Sequence, residues 1–298
     1  MDEPVLLTGA GGRVGQAILR GIGDDYDWRL LDREPLPAAK VPNGVTDADR
    51  YVADITDERA VREAVADVGA VIHLAGDPRK TAPWDSVLRN NIDGTQVVMR
   101  AAADAGVEKF AFASSNHAVG GYETDERTPD LYRSEDEYRL DGSELPRPGN
   151  LYGVSKAAGE SLGRFYHDEF GMSVVCVRIG NLTKDHPPRE YERGQAMWLS
   201  HRDCAHLFDR CLRATYGYEV VYGISNNDRR YYSIERAREA LGYDPADNSA
   251  DYTFEGEPKD DGAVDADGEY VADPDVTTDD APAEPNFPAD PDAPSDDA

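Results

Sequence analysis

The sequence predicts an α/β fold, a Rossmann-type doubly wound parallel sheet with helices on both faces, and three observations carry that prediction. Short β-branched runs alternate with longer stretches of helical periodicity, so strands follow one another through crossover helices. A glycine-rich turn, Thr8-Gly9-Ala10-Gly11-Gly12-Arg13-Val14-Gly15, directly follows the first run and opens the first helix. An acidic residue, Asp32, ends the second run twenty-three residues after Gly9.

The elements follow in order. Val5-Leu6-Leu7 reads as a strand and Val14 to Ile22 as the helix after it; Trp28 to Leu31 is the second strand, and Glu58 to Val68 a helix leading to the strand Ala70 to Leu74. The helix Val87 to Ala105 precedes the strand Phe110 to Phe112, and a long helix opening at Tyr152 precedes Ser173 to Val177. Beyond Ile179 a Pro- and charge-rich loop, His186 to Arg193, leads to a helix over Arg202 to Ala214, a strand over Glu219 to Tyr222 and a helix over Ser233 to Leu241. The expected organisation is a dinucleotide-binding domain at 1–180, a small substrate-binding cap at 181–255 on the carboxyl edge of the sheet, and a disordered acidic tail at 256–298.

Composition narrows the partners. The 298 residues hold 31 basic and 59 acidic side chains, a net charge of −28. Nucleic acid and anionic membrane share that sign and are disfavoured. Fifteen acidic residues stand against the single Lys259 between Glu257 and Ala298. Only six lysines accompany twenty-five arginines, which fits a cytoplasm at molar salt, where screening mutes self-repulsion. Cys176, Cys204 and Cys211 are odd in number and lack C-x-x-C spacing, so reduced, buried thiols are expected rather than a disulfide framework. No apolar run reaches the length of a membrane span, and no His or carboxylate pair, His201 with His206 included, has metal-ligand spacing. A soluble protein without metal is expected.

The glycine turn suits a pyrophosphate, because the backbone must come close and the unpaired N–H groups of a helix N-terminus attract anions. Asp32 can accept hydrogen bonds from an adenosine ribose and repels a 2′-phosphate, so NAD is the expected cofactor, although Arg13 and Arg33 lie near enough to leave NADP open. Tyr152 and Lys156 stand one helical turn apart on one face. A free phenol is a poor base at neutral pH; a neighbouring ammonium and a positive nicotinamide are expected to lower its pKa, so that Tyr152 removes a hydroxyl proton as hydride leaves.

These motifs, with His73-Leu74-Ala75-Gly76, Asn91-Ile92-Asp93-Gly94-Thr95, Ser114-Ser115 and Tyr152-Gly153-Val154-Ser155-Lys156, make residues 1 to about 255 resemble the extended short-chain dehydrogenases/reductases. The resemblance implies that Tyr152 is the catalytic base, that Lys156 holds the nicotinamide ribose, that Ser115 hydrogen-bonds the reacting oxygen and that Asn91 supports a proton relay. From the residues alone, Asn91 reads equally as a helix-packing amide. The resemblance also implies Gly9, Gly12, Arg13, Val14 and Gly15 at the pyrophosphate, Asp32 at the ribose, Asp54 and Ile55 beside adenine, and Leu74, Ala75 and Gly76 under the cofactor.

Within that superfamily, Ser114 to Gly120, Leu151 to Lys156 and Arg178-Ile179-Gly180-Asn181 resemble the uronate dehydrogenases, which oxidise the anomeric carbon of a hexuronate. Leu31 to Leu36, Gly194 to Ser200 and Arg230-Tyr231-Tyr232-Ser233 are similar to the related haloarchaeal NAD-dependent glucose-6-phosphate dehydrogenases. Both substrates present an anion at C6 while C1 is oxidised. The resemblance assigns that anion to Arg193, whose guanidinium suits carboxylate and phosphate equally. The longer loop before it offers His186 and Arg189 as further phosphate donors, with Tyr191 beside them. Asn116, His117 and Asn181 are expected at the sugar hydroxyls.

Two function classes are therefore weighed: an NAD-dependent sugar 1-dehydrogenase, with glucose 6-phosphate ahead of a hexuronate, and a non-catalytic NAD(H)-sensing protein on the same fold. A cytoplasmic homodimer, joined through the helices Val87 to Ala105 and Tyr152 to Phe170, is expected from the family. The acid-rich, lysine-poor composition generates a first prediction. The thermal midpoint should rise as KCl increases to molar concentration, and a midpoint that stays flat or falls in a thermal-unfolding series would refute the salt adaptation.

Overall fold

A computed structural model describes residues 3–123, 140–184, 186–188 and 192–252. The expected tail at 256–298 lies outside the described residues. Seven strands, β1 (Val5–Thr8), β2 (Trp28–Asp32), β3 (Arg50–Val52), β4 (Ala70–His73), β5 (Lys109–Ser115), β6 (Ser173–Ile179) and β7 (Tyr218–Gly223), form one sheet in the order β3-β2-β1-β4-β5-β6-β7. Every neighbouring pair is parallel. The order reverses between β1 and β4, and the carboxyl ends of these strands open the crevice where doubly wound sheets take their ligands.

Period-two alternation divides the strand side chains between two cores. Val5, Leu7, Leu30, Ile72, Val175 and Val177 pack under α1 (Arg13–Ile22) and α7 (His201–Arg213). Leu6, Leu31, Val71, Phe110, Phe112 and Val174 pack under α2 (Glu58–Val65), α4 (Gly94–Asp104) and Tyr166 of α5 (Leu151–Phe170). Both faces of the sheet are covered, which is why its strands read as apolar runs.

The structure departs from the sequence reading in three places. Arg50-Tyr51-Val52 forms β3, a three-residue edge strand that pairs only with β2 and carries no apolar run to announce it. The stretch expected as one helix over Val87 to Ala105 opens with the short α3 (Trp84–Ser86), widens into a π-helical segment over Val87–Asp93 and only then becomes α4. The boundary expected at residue 180 cuts through the sheet, because β7 pairs with β6 along six residues and α7 packs on α1. The part outside the sheet layers is smaller: the 140–150 loop, the described residues 181–184, 186–188 and 192–200 with α6 (Glu192–Ala196), and 224–252 with α8 (Glu235–Leu241). Its core is Leu140, Met197, Tyr222, Tyr231, Tyr232 and Ile234.

Cys176, Cys204 and Cys211 are free and buried. Among the described residues no helix is long and apolar enough to cross a membrane, and no group of three or more His, Cys, Asp or Glu could hold a metal ion.

His73 ends β4 at the centre of the sheet. Its Nδ1 meets Thr8 Oγ1 at 2.7 Å and its Nε2 meets Thr95 Oγ1 at 3.0 Å, so the ring ties β1 to α4. Burial, with the nearby Lys156, pushes its pKa down to about 3. The unfolded chain therefore takes up a proton near the ordinary value of about 6.5 while the folded protein refuses it until about 3. Stability is full above that window and lost as pH falls through it. Replacing His73 with Gln should flatten the fall of unfolding free energy between these limits, by up to about 1.4 kcal/mol per pH unit; identical slopes in denaturant titrations of both proteins would contradict this.

Candidate active site

The turn after β1 is shaped for an anion. Gly9 has φ +70°, and a Cβ there would lie 2.8 Å from the Ala75 amide nitrogen, so the turn and the loop after β4 are in backbone contact. Gly12 caps α1 with no side-chain hydrogen bond, and no acidic residue sits in the first turn. The leading N–H groups at Arg13 and Val14 thus face outward with the positive end of the helix dipole, and Gly15 is buried beneath them. A dinucleotide pyrophosphate fits this cradle. Asp32 stands at the end of β2, where Oδ2 accepts the Gly11 amide at 2.8 Å. Its carboxylate fixes the turn and lies at the rim where the adenosine ribose of a dinucleotide would rest. Arg13 reaches across to the Leu182 carbonyl at 2.9 Å and ties the turn to the segment after β6.

Asp54, Ile55, Leu74, Ala75 and Gly76 line the sheet edge around this turn. Ile55 is buried, whereas the Asp54 carboxylate accepts the amide (2.9 Å) and hydroxyl (2.7 Å) of Thr56, which hold its pKa below the ordinary carboxylate value. Leu74 continues the ladder from the Thr8 carbonyl at 3.2 Å.

The chemical groups come from β5 and α5. Asn150 caps α5 by accepting the Gly153 amide at 2.8 Å, which sets the first turn and Tyr152 with it. Lys156 is buried, donates to the Ala113 carbonyl at 2.8 Å and lies 5.3 Å from the centroid of the Tyr152 ring. Ser115 ends β5; its hydroxyl accepts the His117 amide at 3.2 Å, lies 3.3 Å from Asn116 Oδ1, and is near enough to the Tyr152 phenol to favour its ionised form. Burial pushes Lys156 down to about 8. It also pushes Tyr152 up to about 12, with Asp77 adding to the rise and Ser115 opposing it. The sequence reading expected a phenol lowered by the ammonium and a bound nicotinamide together; in the protein by itself burial raises it.

Asn91 protrudes from the π-helical segment. Its Oδ1 accepts the Asp77 amide at 2.6 Å, and its Nδ2 donates to the Asp77 carbonyl and to Ser155 Oγ, both at 3.0 Å. It therefore clamps the loop after Gly76 to α5. The wide π turn puts the amide at this height, a use of such turns seen at functional sites.

On the sugar side, Asn116 is 3% exposed and its Nδ2 has no hydrogen-bond partner, so a buried donor waits beside Ser115. His117 stands edge-on to Tyr152 at 5.8 Å between ring centroids, with Nδ1 3.2 Å from Asn150 Nδ2. Burial, then Lys80 and Arg193, push its pKa down to about 4, so the ring is neutral at physiological pH. Asn181 follows β6 and pairs by backbone with Met197 and Leu199. His186 is exposed, with Nδ1 2.8 Å from the Pro187 carbonyl. Arg189 and Tyr191 lie outside the described residues. Arg193 is paired with the Glu123 carboxylate, which also accepts the Tyr232 hydroxyl.

Lys80, Glu123, Tyr231 and Tyr232 escape a reading by motif. They come from three separate stretches of chain, and only the fold brings them to the Arg193 side of His117. The Asn immediately before the Leu151-Tyr152 helix start was the one available signal for Asn150.

Residues 5–201 match the family model described as the NAD dependent epimerase/dehydratase family. The chain is 74% identical over 260 residues to the NAD-dependent glucose-6-phosphate dehydrogenase of Haloferax volcanii, covering 87% of this chain and 99% of that protein. It is 34% identical over 249 residues to the uronate dehydrogenase of Pseudomonas putida, covering 82% of this chain and 84% of that protein. The crystal structure of a uronate dehydrogenase mutant from Agrobacterium tumefaciens, complexed with NAD, superposes with a TM-score of 0.71 at 32% identity, covering 87% of this chain and 93% of that one. With the glycine turn, Asp32, Ser115, Tyr152 and Lys156 assembled at one sheet edge, the chain belongs to the NAD dependent epimerase/dehydratase family and is an NAD-dependent dehydrogenase of the short-chain type.

Proposed function

We propose that the protein oxidises glucose 6-phosphate at C1, giving 6-phosphoglucono-1,5-lactone and NADH, the entry reaction of an oxidative pentose phosphate route. The observation that carries this reading is the 74% identity to the Haloferax volcanii enzyme across nearly all of that protein, supported by an uninterrupted catalytic set at Ser115, Tyr152 and Lys156. A hexuronate is the second reading, favoured by the relatives at 34% identity and by Arg193, which suits a carboxylate as well as a phosphate. The reading as a non-catalytic sensor has no support from this set.

When bound, NAD⁺ would accept the hydride and bring a positive charge to the site. That charge favours the phenolate and works against the burial that holds Tyr152 near 12. Tyr152 then takes the C1 hydroxyl proton while Ser115 holds the same oxygen. Lys156, with a pKa near 8, keeps its proton at neutral pH and steadies the phenolate. Asn91 acts through Asp77 and Ser155, holding the loop under the cofactor against α5. Any relay role for it runs through that clamp. Asn116 and His117 meet the sugar hydroxyls, and Arg193 meets the anion at C6.

A homodimer is also inferred. Phe165 and Phe170 are 52% and 46% exposed on α5, with Leu151 and Val154 near its start, an apolar stripe suited to a second copy of the helix. The three free thiols suit a reducing compartment, and a cytoplasmic location is inferred from them.

NADH formation should be strong with glucose 6-phosphate and NAD⁺ in molar KCl and weak with glucuronate, galacturonate or NADP⁺. Tyr152→Phe should keep NADH binding and lose turnover by about 10²- to 10⁴-fold. Turnover confined to the uronates would replace the substrate, and full turnover in Tyr152→Phe would remove the base. Sedimentation equilibrium should give twice the chain mass, falling to one chain mass in Phe165→Glu; a monomeric wild type at all concentrations would dispose of the dimer.

A further inference from the structure

We propose that a basic groove between α1 and α7 is a docking surface for the acidic segment 257–298 of the same chain. None of the cofactor or substrate residues named above lines this groove, so the proposal does not depend on which sugar is oxidised.

Helical spacing builds the walls. His201, Ala205, Asp209 and Arg213 stand four apart along α7 with Arg210 beside them, and Ala17, Arg20 and Gly21 of α1 line the other wall of a hollow of about 700 Å³. A Cβ at Gly21 would lie 2.3 Å from the Ala205 Cβ, so the two helices meet where both side chains are small. The longer side chains flank that contact.

The charges in the hollow run against the composition of the chain. Arg20, Arg202, Arg210 and Arg213 stand there against Asp25 and Asp209, whereas the whole sequence carries 59 acidic side chains for 31 basic ones. Arg213 is held by Asp209 at 2.7 Å, and Arg202 is paired with Asp247. Arg20 gives its Nε to the Gln16 carbonyl at 3.1 Å, and Arg210 gives its own to the Leu241 carbonyl at 2.9 Å. Backbone carbonyls thus orient these two guanidiniums, and among the described residues no carboxylate bonds either one.

The course of the chain names the occupant. A second hollow, of about 290 Å³, shares His201 and Arg202 with the first and is also lined by Lys184 and Tyr252. Tyr252 is the last described residue, and its ring meets Trp198 edge-on at 5.2 Å. Residues 253–298 therefore set out from a hollow continuous with the groove, and from Glu257 onward they hold fifteen Asp or Glu against the single Lys259. The thirteen residues of α7 span about 20 Å, a length that even a short part of this segment covers at about 3.3 Å per residue.

Spacing and tethering favour the pairing. In an extended chain the alternate positions Asp265, Asp267 and Glu269 set carboxylates about 6.6 Å apart on one side, close to the rise of about 6 Å between positions four apart on a helix. Because the segment belongs to the same chain, its binding is intramolecular, at an effective concentration of about millimolar. Individually weak surface pairs then suffice when several form together. Screening at molar salt, over about 3 Å, mutes distant attraction and leaves pairs in direct contact.

The test is carbodiimide coupling of amines to carboxylates on the full chain in molar KCl, read by peptide mass mapping on an equal mixture of isotopically light and heavy protein. Arg20→Lys and Arg210→Lys keep the charge and place an amine in the groove, and circular dichroism establishes that each variant is folded. Each new lysine should couple to acids of 257–298 in its own chain with a yield about 5-fold or more above that of exposed Lys40, because a segment held only by its tether reaches exposed lysines alike. Removing the companion charge, in Arg20→Gln combined with Arg210→Lys, should lower the yield at position 210 by about 3-fold. Yields at positions 20 and 210 no higher than at Lys40 overturn the proposal. Links that join light to heavy chains also overturn it, since they give the groove to a second copy.

Discussion

A buried ion pair holds the catalytic helix against the sheet, and the rest of the site depends on it. Arg178 of β6 meets Glu160 of α5 through two parallel bonds of 2.9 Å, with both residues under 5% exposed. The Ser114 hydroxyl adds a third bond to the same carboxylate at 2.6 Å. Two consecutive serines of β5 therefore differ in use: Ser114 anchors the helix, and Ser115 stands beside Tyr152 in the site. Burying such a pair costs desolvation, and removing one partner strands the other charge at a cost of about 3 to 5 kcal/mol. The planar fork of the guanidinium fixes the helix in rotation as well as distance. Lys156 lies one turn before Glu160, so its height against Ala113 follows from that pair.

Close approach completes the arrangement. A Cβ at Gly159 would fall 2.2 Å from the Phe112 ring, so the helix lies directly on the strand. Phe112 in turn stacks near His73 and lies under the Lys156 ammonium, at 5.2 Å from its ring centroid. Low polarity around these groups explains both a lysine near pKa 8 and a phenol near 12.

The same ion pair reaches the sugar side. Arg178 Nη1 touches the Tyr222 hydroxyl at 3.2 Å, the Tyr222 ring stacks on Tyr232 at 4.4 Å, and Tyr232 bonds Glu123, the partner of Arg193. A continuous chain of side-chain contacts therefore links the helix that carries Tyr152 to Arg193. The spacing between Tyr152 and Arg193 is thus fixed through packed rings and the Arg178–Glu160 pair.

The sequence by itself determined the doubly wound sheet, the glycine turn with Asp32, and the pairing of Tyr152 with Lys156. Each is local: alternation along a strand, a turn that only glycine permits at Gly9, and two side chains one helical turn apart are properties of neighbouring residues. Even there the local reading stopped short, since β3 carries no apolar run and the π-helical widening at Asn91 leaves no periodic trace. The membership of β7 in the sheet, the packing of α7 on α1, the Arg178–Glu160 staple and the meeting of Glu123, Arg193 and Tyr232 were decided by tertiary structure alone. These groups are separated by tens of residues in the chain, and what brings them together is the carboxyl edge of a parallel sheet, where every crossover returns its loop to the same side. The raised phenol belongs there too, because a pKa is fixed by burial and neighbours, and neither exists until the chain has folded.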